Sequence, residues 1–485
     1  MSKKLNNNEL KAIGFWDMEV LQLTGRLAKS LLKNRKYTKE SLLEALKNII
    51  QKPEKFTENE IFGEVAQHVQ AMHYIRASQK PEEQDHFIRE EPLAYTVYGK
   101  AFIEKEALHQ MNTAMRLPVS LAGALMPDAH QGYGLPIGGV LATSPNAIIP
   151  YAVGVDIACR MCLSIWDLNS IYLDQKKAEF KRILGDHTYF GIASKNKSPL
   201  EDEVWENPHW KATAYIRHLI PKAKAQIGTS GTGNHFVEWG VVEVLEETED
   251  LKNLPPGKYV ALLSHSGSRG FGAAIANHYS KLASQFTKLP TQAQHLAWLD
   301  LKTEAGQEYW LSMNLAGEYA SANHHQIHKR IAKALDRQPV VVIENHHNFA
   351  WKEQLSDGTD VMVHRKGATP AGKGALGIIP GSMATPGFVI RGKGDKLSIN
   401  SASHGAGRTM SRSKAMHAIT GSELKKILAD KGVTLIGGDL DEAPIAYKDI
   451  NAVIAAQTDL VEVLAKFHPK IVRMAEPDPK GRGED

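Results

Sequence analysis

The sequence predicts an α+β fold in which a helical N-terminal extension precedes a mixed body, and three features of the 485-residue chain point to it. Residues 9 to 78 place apolar side chains at helical spacing: Leu21, Leu23, Leu27, Leu31 and Leu32, then Leu42, Leu43, Leu46, Ile49 and Ile50. The acidic, proline-containing stretch from Lys80 to Asp85 reads as a linker. From about residue 94 the texture changes to short β-branched runs, such as Val340–Ile343 and Tyr259–Leu263, that end in Gly/Ser/His loops. Helical stretches intervene at 301 to 335 and 411 to 430. The domains therefore read as 1–93, the helical extension, and 94–485, the α+β body.

Composition narrows the class. With 42% hydrophobic and 23% charged residues the chain has the make-up of an ordinary globular protein. A net charge of +4 means that nucleic-acid binding has to come from a local basic surface. No apolar run approaches the length of a membrane span and the N-terminus has no apolar signal segment, so no membrane partner and a cytoplasmic location are expected. The only cysteines, Cys159 and Cys162, cannot build a disulfide framework and lack the second pair of a zinc ribbon.

Chemistry concentrates in short islands: Asp128-Ala-His130, Asp156-Ile-Ala-Cys159, Gly231-Thr-Gly-Asn234-His235, Ser264-His265-Ser-Gly-Ser-Arg-Gly270, Asn345-His346-His347-Asn348 and Ser403-His404-Gly-Ala-Gly-Arg408. A thiolate, imidazoles and a carboxylate suit borderline divalent ions such as manganese or zinc. Cys159 as a bridge, with Asp156 and His235 on one side and His265 and His347 on the other, would make a two-metal site, and ions roughly 3.5–4 Å apart recur in phosphoryl chemistry. A buried, inert Cys159 among scattered histidines is the plain alternative. It suits any one residue better than it suits the joint pattern.

Gly377–Met383 and His404–Arg408 place unencumbered backbone amides beside a hydroxyl or a cation, as anion-binding nests do. The run His364-Arg365-Lys366-Gly367 reads either as a solvated basic face or as a contact for a phosphate-rich ligand, with the second favoured.

In this order the islands resemble the RtcB family of RNA ligases. The resemblance runs from about residue 94 and includes Met126–His130, Gly154–Cys159, Gly228–His235, His265–Gly270, His346–Asn348, Ile379–Met383, Ser403–Arg408 and Ala446–Ile450. It implies an RtcB-like catalytic domain that joins RNA 2′,3′-cyclic phosphate or 3′-phosphate ends to 5′-hydroxyl ends, in RNA repair or tRNA splicing, with GTP and two manganese ions. It assigns Asp156, Cys159 and His235 to one ion, and Cys159, His265 and His347 to the other. His404 would be the nucleophile that carries GMP. Asn234, His235, His347, Asn348, Pro380, Gly381, Ser382, Met383, His404, Gly405, Ala406 and Gly407 would grip the nucleotide. An activating protein partner is compatible with this family.

The chain also departs from the family pattern. Ala158 and Arg160 stand where the family writes glycines around its cysteine, which is expected to crowd the metal loop and add a cation. Met474 falls at the family's C-terminal lysine, a place that Lys480-Gly481 would fill only after an insertion. Two other classes therefore stand beside ligation: an enzyme that caps 3′-phosphate RNA or DNA ends with GMP without ligating them, and a non-catalytic RNA-binding protein.

Overall fold

The computed structural model describes residues 5–477 apart from 16–17, 35, 78–83, 86 and 197. These residues form two compact units: one takes the chain up to Glu82 together with Asn207–Pro221, the other takes Glu83–Glu206 and everything from Lys222.

The first unit is built on four helices, α1 (Asn7–Ala12), α2 (Met18–Lys33), α3 (Lys39–Gln51) and α4 (Gly63–Ala77). Asn6 and Thr38 open α1 and α3 with capping boxes closed by Glu9 and Ser41, so the first orphan amides of each helix are satisfied locally. The helical spacing turns Leu21, Leu31, Leu42, Leu46 and Ile49 into one core with Phe15 and Phe62. Lys33 and Lys36 are exposed; Trp16, Arg35 and the Tyr74 side chain lie outside the described residues, as does most of the expected linker.

The second unit is mixed, with antiparallel pairing dominant, as the α+β reading expects. Its longer strands are β1 (Ser120–His130), β2 (Ile137–Thr143), β3 (Arg160–Asn169), β4 (Phe236–Val244), β5 (Gly257–Ser266), β6 (Val341–His346), β7 (Asn348–Gln354), β8 (Asp360–Lys366), β9 (Leu376–Ile379), β10 (Gly387–Gly392) and β11 (Val461–Met474). The large sheet runs β6-β3-β5-β4-β11-β10-β9, with the short strand Thr434–Ile436 alongside β11. A second sheet runs β7-β8-β2-β1 and ends on Thr96–Val97. Strand alternation buries both faces of the large sheet. In β5, Ala261 and Leu263 join one core with Met161, Ile343 and Phe467, whereas Val260 and Leu262 join another with Trp166, Trp239 and Ile327. Ile327 belongs to α6 (Glu304–Leu335), a single 32-residue helix that follows α5 (Arg269–Phe286). The helical stretch expected over 411 to 430 is instead two helices, because Ile419 turns extended after Ala418 and Thr420 caps the next helix in a box with Glu423. Among the described residues no helix is long and apolar enough to cross a membrane.

Candidate active site

The sheet register brings the islands together. Arg160 of β3 lies opposite both Ser266 of β5 and His346 of β6, so in this antiparallel arrangement the start of β3 meets the ends of its two neighbours. Cys159 precedes Met161 by two residues, His265 follows Leu263 by two, and His347 follows Asn345 by two; period-2 alternation turns all three toward the same side. His235 enters at the start of β4, where Phe236 is paired with His265. Four adjacent strand ends thus supply one donor cluster.

The donor atoms fall into the two expected groups, Asp156–Cys159–His235 and Cys159–His265–His347, each with its ligand atoms within 4.8 Å of one another. Cys159 Sγ is 3.6 Å from His235 Nε2 and 3.1 Å from His265 Nε2. His235 Nε2 is 3.0 Å from Asp156 Oδ2, and the Nε2 atoms of His265 and His347 are 3.3 Å apart. His235 and His265 spend Nδ1 on the carbonyls of Ser230 and Asn234, which leaves their Nε2 lone pairs facing the cluster. Burial, with the neighbouring His235, pushes the His265 imidazole down to about 3, and burial holds His347 well below the usual range. Burial works to raise Asp156, but the hydrogen bond and charge of His235 outweigh it and hold the carboxyl low. Two buried, neutral imidazoles, a cysteine sulfur and an ionised carboxylate with ligand atoms this close are a donor set that fits divalent metal. A residue larger than glycine at 267 would displace the Asp156 carboxylate, because its Cβ would fall 2.1 Å from Oδ1.

Cys162 is one strand position out of phase. It is buried, and burial raises its thiol well above the ordinary range, so it stays protonated and outside both donor groups.

His404 follows the short strand Ser401–Ser403, and its ring centroid is 4.8 Å from that of His347. Its Nδ1 is 2.7 Å from Asp128 Oδ2, and the same oxygen accepts the His404 and Gly405 amides at 3.1 and 3.3 Å. Burial works to raise Asp128, yet the hydrogen bond from His404 and the charges of His404 and Lys448 hold it low. An ionised carboxylate only accepts, so Nδ1 carries a proton, and in the neutral ring the lone pair is on Nε2. Two amides of the presumed nest are thereby turned inward to Asp128 and not to an outside anion. Gly407 is required here, because at φ 74° its Cβ would meet the Asp128 carbonyl oxygen at 2.0 Å.

Beside these groups lies a cleft. Asn234, Pro380, Gly381, Ser382 and Met383 line it, together with Phe236, Glu238, Tyr447 and Met474. The Glu238 carboxyl is pushed well above the usual range by burial. The Asn348 side chain bridges two segments of the site: its amide nitrogen donates to Asp156 O at 3.2 Å, and its oxygen accepts from Gly367 N at 2.8 Å. Lys480-Gly481 lies outside the described residues.

The basic run 364–366 is neither a solvated face nor an open phosphate contact. Arg365 is 1% exposed, forms a two-pronged ion pair with Glu353 at 2.5 and 3.1 Å, and covers the Trp351 ring at 4.7 Å. His364 is fully buried, with Nε2 accepting from Ile149 N, and Lys366 Nζ donates to the Tyr133 and Tyr151 carbonyls. Arg160 does not crowd the donors either; it turns away toward Glu344. Reading the islands did not assign Asp128 its place behind His404, nor Phe236, Glu238 and Tyr447 theirs in the cleft. Asp128 stands 276 residues from His404, and nothing local couples them.

The profile of a family described as tRNA-splicing ligase RtcB matches residues 110–475. The chain is 35% identical over 392 residues to the RNA-splicing ligase RtcB of Escherichia coli K12, spanning 75% of this chain and 92% of that one. It is 30% identical over 452 residues to the tRNA-splicing ligase RtcB of Thermococcus kodakarensis, spanning 77% and 94%. The RNA-splicing ligase RtcB homolog 1 of Entamoeba dispar is also 30% identical, with 75% and 81% spanned. An enzyme that ligates RNA is the class these matches define. The chain belongs to the RtcB family.

Proposed function

We propose that this enzyme seals RNA 3′-phosphate or 2′,3′-cyclic phosphate ends to 5′-hydroxyl ends with GTP and two manganese ions, through GMP carried on His404. The observation that carries the reading is the placement of His404, held by Asp128, against a cluster of five metal-donor side chains. Asp156, Cys159 and His235 would hold one ion, and Cys159, His265 and His347 the other, supplying positive charge to phosphate oxygens. His404 Nε2 attacks the α-phosphorus of GTP, a nitrogen–phosphorus bond forms, and the bond to the β-phosphate oxygen breaks with loss of pyrophosphate. GMP then passes to an oxygen of the RNA 3′-phosphate. The 5′-hydroxyl attacks that phosphorus and expels GMP; a cyclic end must first be opened by water. Labelled GTP with manganese should give an acid-labile protein adduct, and a 3′-phosphate/5′-hydroxyl RNA pair should then be sealed. An adduct without sealing would leave only end capping, and no adduct would defeat the reading.

Asp128 holds the reactive tautomer, so Asp128→Asn is expected to slow adduct formation on the order of 10⁴-fold, as the same exchange does in a serine protease's imidazole–carboxylate pair. Single-turnover rates measure this. An unchanged rate would remove Asp128 from the nucleophile's support.

Residues 94–485 are proposed to carry the catalysis, in the cytoplasm, while the helical extension 1–93 tunes RNA choice. All five donors and His404 lie outside the helical unit. A chain starting at Glu91 should still accept GMP. It should also be less soluble, because buried Trp210 and Ile216 belong to the same compact unit as the helices removed. Soluble truncated protein that takes no label would show the helices to be part of the catalytic apparatus.

A further inference from the structure

Arg160 directly follows Cys159 and stands opposite His346 in the β3/β6 ladder. Its side chain is 9% exposed and forms no part of the cleft wall. Nη1 donates to Glu344 Oε2 at 2.8 Å and Nη2 donates to His346 Nδ1 at 3.3 Å. A guanidinium only donates, so the His346 ring keeps its lone pair on Nδ1. That ring is stacked on Trp351, with centroids 5.1 Å apart, and meets Phe349 edge-on. The next residue is the metal-donor candidate His347. Around it the two segments are laced together: Ala158 N donates to Asn348 O at 2.7 Å and His347 N donates to Cys159 O at 3.0 Å. Glu344 in turn accepts from Ser321 Oγ at 3.2 Å and lies 3.4 Å from His325 Nε2, both on α6.

From these contacts we infer that Arg160 is a positioning residue for the metal centre, fixing His347 relative to Cys159 by clamping His346 and Glu344. The inference rests on the metal reading above. β6 is the last strand of its sheet and its backbone ladder is to β3 alone among the described strands. On its other side Asn345 bonds to Ile378 and Thr369, and His347 O accepts from Ala368 N at 3.2 Å. These contacts hold the backbone; Arg160 and its partners add the restraint on the His346 side chain that precedes His347. Stability alone is a poor account of this residue: an ion pair with a carboxylate that is 32% exposed contributes little, and Arg160 Nε is buried with no hydrogen-bond partner among the described residues.

The test titrates the full-length, metal-free chain with Co²⁺ and follows the thiolate-to-cobalt charge-transfer absorption, which reports coordination at Cys159 independently of activity. Arg160→Met is expected to raise the half-saturating cobalt concentration by about 10–100-fold, the usual effect of losing a group that orients a ligand. Its melting temperature should stay near the wild-type value, because Glu344 is 32% exposed and keeps Ser321 and His325. Arg160→Lys retains the charge but cannot fork to both partners, so it should also bind cobalt more weakly; it carries the test should the Met variant not fold. A folded variant that binds cobalt as tightly as the wild type overturns the proposal. A wild-type chain that shows no thiolate-to-cobalt band overturns the metal reading, and this inference with it.

Discussion

His404→Ala should form no GMP adduct and seal no RNA, while its fold and its metal content stay intact. The variant removes the side chain whose Nε2 is the only lone pair that Asp128 leaves free on that ring. Its structural cost is bounded, since Asp128 keeps the amides of residues 404 and 405 and loses one hydrogen bond, about 1–3 kcal/mol for a buried group. His404→Gln can still donate to Asp128 and guards against a misfolded alanine variant. Labelled GTP, acid precipitation and metal analysis give the readout. Adduct persisting in both variants would move the nucleophile to another histidine.

Cys159→Ser should lose both ions together, because its sulfur belongs to both donor groups, whereas Cys162→Ser should bind two ions per chain and retain most of its activity. The second substitution carries only a stability cost of about 1–3 kcal/mol for burying a hydroxyl. Manganese should also protect Cys159 from alkylation as its concentration rises, since a coordinated thiolate is withdrawn from reaction. Equilibrium dialysis against manganese separates the variants. Equal loss from both would point to a Cys-x-x-Cys site and sink the bridging assignment.

How legible these features were depends on how far each interaction reaches along the chain. The helices of the first unit were readable because spacing alone turns Leu21, Leu31, Leu42 and Ile49 to one side. The donor residues were readable because each sits in a short island of unusual composition, although what assembles them, the common end of β3 to β6, is a matter of register. Arg365 was misread because adjacent cations usually mark a surface; here Glu353, from the neighbouring strand, and Trp351 neutralise and cover it. Asp128 behind His404 and the return of Asn207–Pro221 to the helical unit are long-range events that leave no local pattern. The break at Thr420 was written in its capping box with Glu423, and was overlooked because the apolar periodicity continues across it.

The arrangement of β4 and β5 has a practical consequence for labelling. His235 stands before the first residue of β4 and His265 near the last of β5, so the turn joining these strands is at the opposite end of the sheet. Nine residues of strand put roughly 30 Å between that turn and the donors. Leu245, Glu246 and Glu247 are exposed there, and the ion pair of Asp250 with Arg391 holds the following turn in place. A fluorophore or affinity peptide spliced between Glu246 and Glu247 would hang from the far rim of the sheet. It would report on tumbling and immobilise the enzyme on a surface, with the strand ends that carry the donor cluster facing away from the attachment point.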